Sequence, residues 1–237
     1  MLPDIARYRF LLRPRWLALH VLIAILVVVM VSLGFWQLRR LDERRSSNAQ
    51  IKARTSEQRV AVESAASPST SGAALDALRY RSVAASGTYD ASATSVIPSR
   101  TQSGAPGSWV VTPLRIGDDT VLVVRGFTPL DPTGTAVPPS PPTDAVTVQG
   151  YALAIDGFDN IAKHDLQTLR DERPGTLPVV VQATTSRPAD DPALAAISLP
   201  TLDDGPHLGY AVQWFLFATV ASIGYPFALR RAAGKAA

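Results

Sequence analysis

The stretch "WLALHVLIAILVVVMVSLGFWQL", residues 16–38, carries no charged side chain and lies between Arg15 and Arg39. At about 1.5 Å per residue it forms a helix of about 35 Å, enough to cross a hydrocarbon core of about 30 Å. A second uncharged run covers residues 208–229, ends at two arginines and is also long enough to cross. Lipid offers no hydrogen-bond partner to exposed backbone, so both runs are predicted to be transmembrane helices.

The first run differs from a cleaved signal peptide. Its apolar core is far longer than the roughly 7–15 residues of such a peptide. The sequence "GFWQLRR" that closes it is bulky where a signal peptidase requires small side chains. The run is therefore predicted to stay in the protein as an anchor.

Charge beside the two runs predicts how the chain crosses the membrane. Seven basic residues and one acid lie in the short terminal segments, and short basic segments remain in the cytoplasm. We therefore expect cytoplasmic basic tails at residues 1–15 and 230–237, spans at 16–38 and 207–229, and an extracytoplasmic domain at 39–206. Four arginines directly after the first span favour the reverse orientation, and the termini are expected to outweigh them: Arg39, Arg40, Arg44 and Arg45.

Composition narrows the partners and the compartment. The chain has a formal net charge of +3, but the part outside the basic tails holds 16 basic and 19 acidic residues, so the excess anchors the termini and does not indicate nucleic-acid binding. There is no cysteine, which excludes disulfides and thiolate metal sites, and the two methionines argue against a Met/Cys copper site. Arginine outnumbers lysine twenty to three, which indicates a GC-rich bacterial genome and a bacterial plasma membrane.

The segment between the spans is predicted to be an antiparallel α+β, β-barrel-like domain. We expect the first helix to continue for a few turns, two strands or a bent hairpin within residues 80–100, and a loop over residues 101–108. The pattern then predicts a strand hairpin over 109–130, an exposed Pro-rich stretch, a strand at 145–155, a helix capped by Asp159 with Ile161, Leu166 and Leu169 on one face, and a last strand at 176–185.

No enzymatic motif is present. The sequence lacks a phosphate-binding loop, a dinucleotide fingerprint, a nucleophile elbow and a zinc-protease motif, so the protein is not expected to be an enzyme. Adjacent acids such as Asp190 and Asp191, or Asp203 and Asp204, are interpreted as solvated loop residues.

His207 is the most informative polar residue because it lies at the outer end of the second span. Tyr210, Ala211 and Trp214 follow at helical spacing and share its face. One interpretation is an aromatic belt at headgroup depth. The other is a haem ligand, with small residues such as Ala211 and Ala218 accommodating the macrocycle.

Three further polar residues lie in or beside the spans. Gln37 and Gln213, near the outer ends, either join helices or face water. His20, one turn into the first span, is interpreted as interfacial packing or a contact to a partner helix.

Four blocks in order resemble the surfeit-locus family of cytochrome c oxidase assembly factors. They are "GFWQLRRLDER" at 34–44, "YRSVAASGTYD" at 80–90, "GSWVVTPLRIGDDTVLVVRGFTPL" at 107–130 and "PHLGYAVQWFLFA" at 206–218. The resemblance covers almost the whole chain. It implies a factor that assists haem A insertion, with the oxidase catalytic subunit or haem A synthase as partner beside membrane lipid.

By position, the resemblance makes His207 the candidate haem-iron ligand. The accompanying candidate cofactor-binding residues are Tyr210, Gln213, Trp214, Trp36 and Gln37. The alternative is a lasting accessory subunit of a respiratory oxidase complex without its own cofactor.

Overall fold

The structure, a computed structural model, describes residues 11–235. Most of the predicted tail 1–15 and the end of the tail 230–237 lie outside the described residues. Among the described residues the chain divides into two compact units, one formed by residues 11–49 with 202–235 and the other by residues 50–201.

Two long helices form the first unit. Helix α1 covers Pro14–Ser56, which confirms that it continues well beyond Leu38. Helix α5 covers His207–Lys235 and starts directly after Pro206, whose carbonyl accepts from the backbone N–H of Tyr210. Proline has no N–H to donate, so Pro226 leaves the carbonyl of Ser222 without its helical partner and weakens the ladder there.

Both helices are long and apolar enough to cross a membrane, by length and composition. Their large apolar side chains are mostly exposed, as at Val21, Val28 and Val220. A core helix of a soluble protein would bury these side chains, so the exposure accords with a membrane-associated protein.

A seven-stranded sheet with three short helices forms the second unit. In chain order its elements are β1 (Val60–Ala61), α2 (Val62–Ala65), α3 (Gly72–Leu78), β2 (Ser82–Tyr89), β3 (Ser95–Gln102), β4 (Ala105–Ile116), β5 (Asp119–Pro129), β6 (Val146–Ala154), α4 (Asn160–Asp171) and β7 (Thr176–Arg187). The strand order is β1-β2-β6-β7-β5-β4-β3. A further antiparallel pairing joins β2 to β4 through Thr88 with Arg115 and Tyr89 with Leu114. The barrel-like closure stays a prediction.

The sheet is mixed, so the prediction of an antiparallel sheet was wrong. Strands β5 and β7 are parallel, as are β1 and β2. Strand β7 lies between β5 and β6, which run in opposite directions, so it must be parallel to one of them. The Pro-rich connection between β5 and β6 is long enough to leave that place for β7.

The local predictions hold for the central hairpin and for the two strands before it, and fail at the loop expected over residues 101–108. The hairpin of β4 and β5 is confirmed, turning at Gly117 with a positive φ. Strands β2 and β3 exist but pair with other strands instead of forming a hairpin. The loop expected over residues 101–108 is a two-residue turn at Ser103 and Gly104, both with positive φ, the geometry that suits a tight β-hairpin.

The core lies on both faces of β5, because its residues alternate between two apolar clusters. Val121 and Val123 join the larger cluster with residues from the neighbouring strands and the short helices. Leu122 and Val124 join the second cluster, which α4 covers with Ala162 and Leu166. Strand β7 likewise reaches both clusters, with Val181 in the larger and Val180 in the second.

Asp159 caps α4, as predicted, by accepting from the backbone N–H groups of Ile161 and Ala162. The predicted buried face was wrong at Ile161, which is half exposed, whereas Leu166 is fully buried. Ala162, one residue later, takes the buried place at helical spacing from Leu166.

Candidate functional site

The N-terminal end of α5 is joined to α1 through His207. Its Nδ1 lies 2.9 Å from Oε1 of Gln37, so the first residue of α5 is bonded to α1. An amide oxygen can only accept, which makes Nδ1 the donor. In the neutral imidazole the lone pair is then on Nε2, and no described residue bonds to that atom. His207 thus presents the nitrogen that a metal ion requires.

The other predicted site residues divide into two groups. Trp214 is half-buried and meets Phe217 edge to face at a centroid distance of 6.1 Å. Trp36, Tyr210 and Gln213 are exposed on the two helices. The structure therefore brings together His207 and Gln37 by a bond and leaves the exposed residues as surface around them.

Glycine and phenylalanine make the closest helix contact deeper in the pair. A Cβ on Gly34 would lie 2.6 Å from Cε1 of Phe215, so only glycine leaves room for that ring. Phe35 also meets Phe215 edge to face at 5.3 Å. The sequence motif contains Gly34, but its role appears only with the partner ring in place.

Ala211 and Ala218 belong to this contact face and are almost fully buried. They lie four residues after His207 and three residues after Phe215, on the helix face that carries both residues. The expectation that they accommodate a macrocycle was therefore wrong, because the helix contact already covers them.

Polar contacts join Asp203 and Asp204, just before α5, to Arg44, Arg45 and Asn48 of α1. We call this set of contacts the charged clamp. Arg45 donates twice to Oδ2 of Asp204, at 2.9 and 2.7 Å, and Asn48 donates to the carbonyl of Asp203 at 2.8 Å. The bonds to Arg45 lower the pKa of Asp204 below its ordinary value, and Asp204 raises the pKa of Arg45. Asp203 also pairs with Arg44 at 3.5 Å.

This clamp sets where α5 begins. Gly205 adopts a positive φ, and its N–H donates to Oδ1 of Asp203, so the chain turns sharply before His207. Asp203 and Asp204 are exposed, as predicted, but both are paired. The clamp escaped sequence reasoning because its partners are about 160 residues apart.

The N-terminal part of α1 is joined to the C-terminal part of α5 by His20 and Tyr225. The Nδ1 of His20 lies 2.5 Å from the tyrosine hydroxyl, and the rings meet edge to face. His20 therefore contacts the other helix of its own chain, one of the two kinds of role expected of it. A hydroxyl can donate or accept, so this bond does not select the tautomer as Gln37 does for His207.

The second unit contains a buried ion pair that the sequence did not predict. Arg125, with a fully buried side chain, donates to both carboxylate oxygens of Asp190 at 2.8 and 2.5 Å. It also donates to the carbonyls of Pro139 and Ser140, which fastens the Pro-rich stretch to β5. The interpretation of Asp190 as a solvated residue was wrong. Burial, with the charge of Asp190 nearby, raises the pKa of Tyr89, whose ring lies under Arg125.

Within residues 11–235, no group of three or more His, Asp or Glu side chains could hold a metal ion. Haem iron does not need such a group, because the porphyrin supplies four nitrogens and the protein one or two axial ligands. One imidazole with Nε2 unbonded within the described chain, at the N-terminal end of α5, is a donor of the kind that haem iron takes.

Two helices long and apolar enough to cross a membrane, with a folded β-rich segment between them in the sequence, accord with a membrane-associated protein. The SURF1 family model matches residues 24–219, so the chain belongs to the SURF1 family, whose members are generally cytochrome oxidase assembly factors. Similar proteins include an uncharacterized SURF1-like protein of Mycobacterium bovis and its counterparts in two strains of Mycobacterium tuberculosis. Each is 31% identical over 92% of this chain and 84% of the relative.

Proposed function

We propose that this protein assists the maturation of a haem–copper cytochrome c oxidase by holding haem A at His207 before its insertion into the catalytic subunit. The observation that carries the proposal is the bond from Nδ1 of His207 to Gln37, which leaves Nε2 as the free ligand atom. Family membership supports a role in oxidase assembly, and haem binding is the part of the proposal that rests on His207.

Haem A is cargo in this proposal, bound through its iron by one imidazole. Trp36 and Tyr210 are exposed beside the His207–Gln37 pair and offer apolar faces to a macrocycle. Trp214 and Gln213 complete the proposed contact surface on α5. Direct delivery partners are the oxidase catalytic subunit or haem A synthase, reached within the lipid bilayer.

The proposal also covers the membrane orientation, the absence of catalysis and the barrel closure that the sequence predicts. Both helices cross a bacterial plasma membrane, both termini are cytoplasmic, and residues 39–206 lie outside the cytoplasm. The protein catalyses no reaction of its own. The sheet of the second unit closes as a barrel. Its strands pair in the order β2-β6-β7-β5-β4, and β4 pairs in turn with β2.

Spectroscopy of membranes tests the assembly role. A strain lacking the protein is complemented with the wild type or with His207→Ala, and the oxidase haem content is read from reduced-minus-oxidised spectra. The proposal expects low haem content without the protein and with His207→Ala, at equal amounts of oxidase polypeptide. Normal content in the deletion strain would reject the assembly role.

An accessory subunit without a cofactor is the second candidate. It is favoured by the contacts that already occupy the helix pair, since Gly34 against Phe215 and His207 against Gln37 suffice to explain those residues as helix packing. Mild-detergent purification separates the two candidates. Stoichiometric retention in mature, active oxidase supports a subunit, and enrichment with immature oxidase supports an assembly factor.

A further inference from the structure

The second unit holds a cleft of about 310 Å³ to which the haem proposal gives no role. Trp109 and Phe158 form one wall, and the extended segment 197–200 forms another. Tyr80 and Arg79 line it from the end of α3. Two of the sequence blocks that carry the family resemblance therefore contribute side chains here, namely Tyr80 and Trp109.

Neighbouring side chains fix the position of the aromatic wall. Trp109 and Phe158 meet edge to face at 6.0 Å. The guanidinium of Arg100 lies 4.5 Å from the centre of the Trp109 ring and bonds to both carboxylate oxygens of Asp159. A wall fixed by neighbouring contacts loses little freedom when a ligand packs on it.

Tyr80 occupies a backbone conformation that disfavours it. Its φ is +62°, directly after the C-terminal cap of α3, where glycine or asparagine is the usual residue. A bond from its N–H to the carbonyl of Ala152, at 2.7 Å, holds it there. A bulky residue kept at such a position, with its ring on a cleft, is typical of a ligand contact.

Carboxylates outnumber guanidinium groups in and beside the cleft. Asp159 lines it and pairs with Arg100, whereas Asp76 and Asp156 lie outside the lining and pair with Arg79, which lines it. The side chains of Asp76, Asp156 and Asp159 are 63, 52 and 55% exposed, against 31 and 11% for those of Arg79 and Arg100. This excess of one carboxylate, together with its greater exposure, favours a basic group on whatever binds.

One wall of the cleft is itself an extended chain with free backbone groups. Side-chain amides of Gln102 and Gln182 bind the carbonyls of Ala196 and Ile197 at 3.0 and 2.8 Å. The backbone groups of Ser198 and Leu199 make no hydrogen bond with any described residue. A second extended chain can pair with such an edge.

We propose that this cleft binds an extended polypeptide segment that carries a large apolar or aromatic side chain beside a lysine or arginine. The volume is at the lower end of the roughly 300–1,000 Å³ of small-molecule pockets, so it suits one or two side chains. The inference rests on the proposed function, because an assembly factor must hold a polypeptide client.

Fluorescence anisotropy with the full chain in detergent tests the proposal. Three labelled synthetic peptides of otherwise equal Ser/Thr sequence are compared: a central Phe flanked by Lys, a central Ala flanked by Lys, and a central Phe flanked by Glu. We expect the Phe–Lys peptide to bind at least about tenfold more tightly than either of the others.

Variants of the cleft identify the site. Tyr80→Asn should stay folded, because asparagine tolerates positive φ, and should lose most of the binding. Gly157→Ala places a Cβ 2.9 Å from Nη1 of Arg79, shifts that guanidinium and should weaken binding. Val137→Ala, at an exposed position of the Pro-rich stretch that does not line the cleft, is the control.

Equal or absent binding of all three peptides, or unchanged binding by Tyr80→Asn, would overturn the inference. Such a result is distinguishable from failure of the proposed function. Low oxidase haem content in the deletion strain would still support the assembly role while the cleft inference fell.

Discussion

His207 and Gln37, 170 positions apart in the chain, share a hydrogen bond of 2.9 Å between Nδ1 and Oε1. The bond assigns the proton of the neutral imidazole to Nδ1 and leaves Nε2 with its lone pair. A metal-binding histidine is commonly oriented in this way by a partner on its other nitrogen. In the proposed function, His207 is therefore the ligand and Gln37 the residue that positions it.

Gln37→Leu should weaken haem binding while leaving His207 in place. Loss of an orienting partner typically reduces metal affinity about 10–100-fold. Titration of the purified variant with haem, followed in the Soret band, measures the effect. Gln50→Leu is the matched control, since Gln50 is exposed on α1 and belongs to no proposed haem contact. Equal affinity of wild type and Gln37→Leu would refute the positioning role.

Gly34→Ala should destabilise the helix pair because its Cβ would lie 2.6 Å from the Phe215 ring. Overpacking of this kind typically costs about 1–3 kcal/mol. Thermal unfolding in one detergent measures the change. Phe215→Leu in the same chain should restore much of the loss. Gly209→Ala, whose Cβ would meet nothing within 4 Å, should not be destabilising.

Asp190→Ala should strongly destabilise the second unit, residues 50–201. It leaves the guanidinium of Arg125 buried without its anion, a change that typically costs about 3–5 kcal/mol. Urea unfolding followed by circular dichroism measures the free energy. Asp191→Ala removes only a bond to the backbone N–H of Ala193 and should cost far less. Comparable losses in the two variants would contradict the assigned role of Asp190.

Acid should lower the free energy of unfolding of the second unit through protonation of Asp159. Bonds from Arg100 and from the first turn of α4 lower the pKa of this carboxyl below its ordinary value. A carboxyl with a lowered folded pKa stabilises fully above its unfolded pKa of about 3.9, and the contribution is lost as the pH falls from there toward the folded value.

Asp159→Asn should therefore flatten the pH dependence of unfolding below about pH 4. Asp159→Ala also removes the cap and should cost about 1 kcal/mol at neutral pH. Asp171→Asn, at the C-terminal end of the same helix and without a cap bond, is the comparison. If Asp159→Asn kept the wild-type pH dependence of unfolding in acid, Asp159 would not be the carboxyl responsible for it.

Local patterns in the sequence predicted the features that depend on neighbouring residues. The uncharged runs predicted α1 and α5, the turn at Gly117 predicted the β4–β5 hairpin, and Asp159 predicted the start of α4. Each of these rests on periodicity, turn chemistry or capping within a few residues.

Contacts between distant parts of the chain were not predictable in the same way. The place of β7 beside β5 depends on a long connection, and no local pattern records it. The pairing of Asp190 with Arg125 spans 65 positions, so adjacent acids gave the wrong impression of a solvated turn. At the candidate site, the places of His207 and Gln37 at the ends of the uncharged runs identified each residue separately, and only the folded helix pair shows their bond.

The most direct measurement is the optical spectrum of the full chain purified from cells that make haem A, with wild type and His207→Ala compared at equal protein. The account predicts a Soret band in the wild type that His207→Ala abolishes or shifts, with the helical content unchanged. No Soret band in the wild type, or an identical band in both proteins, would contradict haem binding at His207.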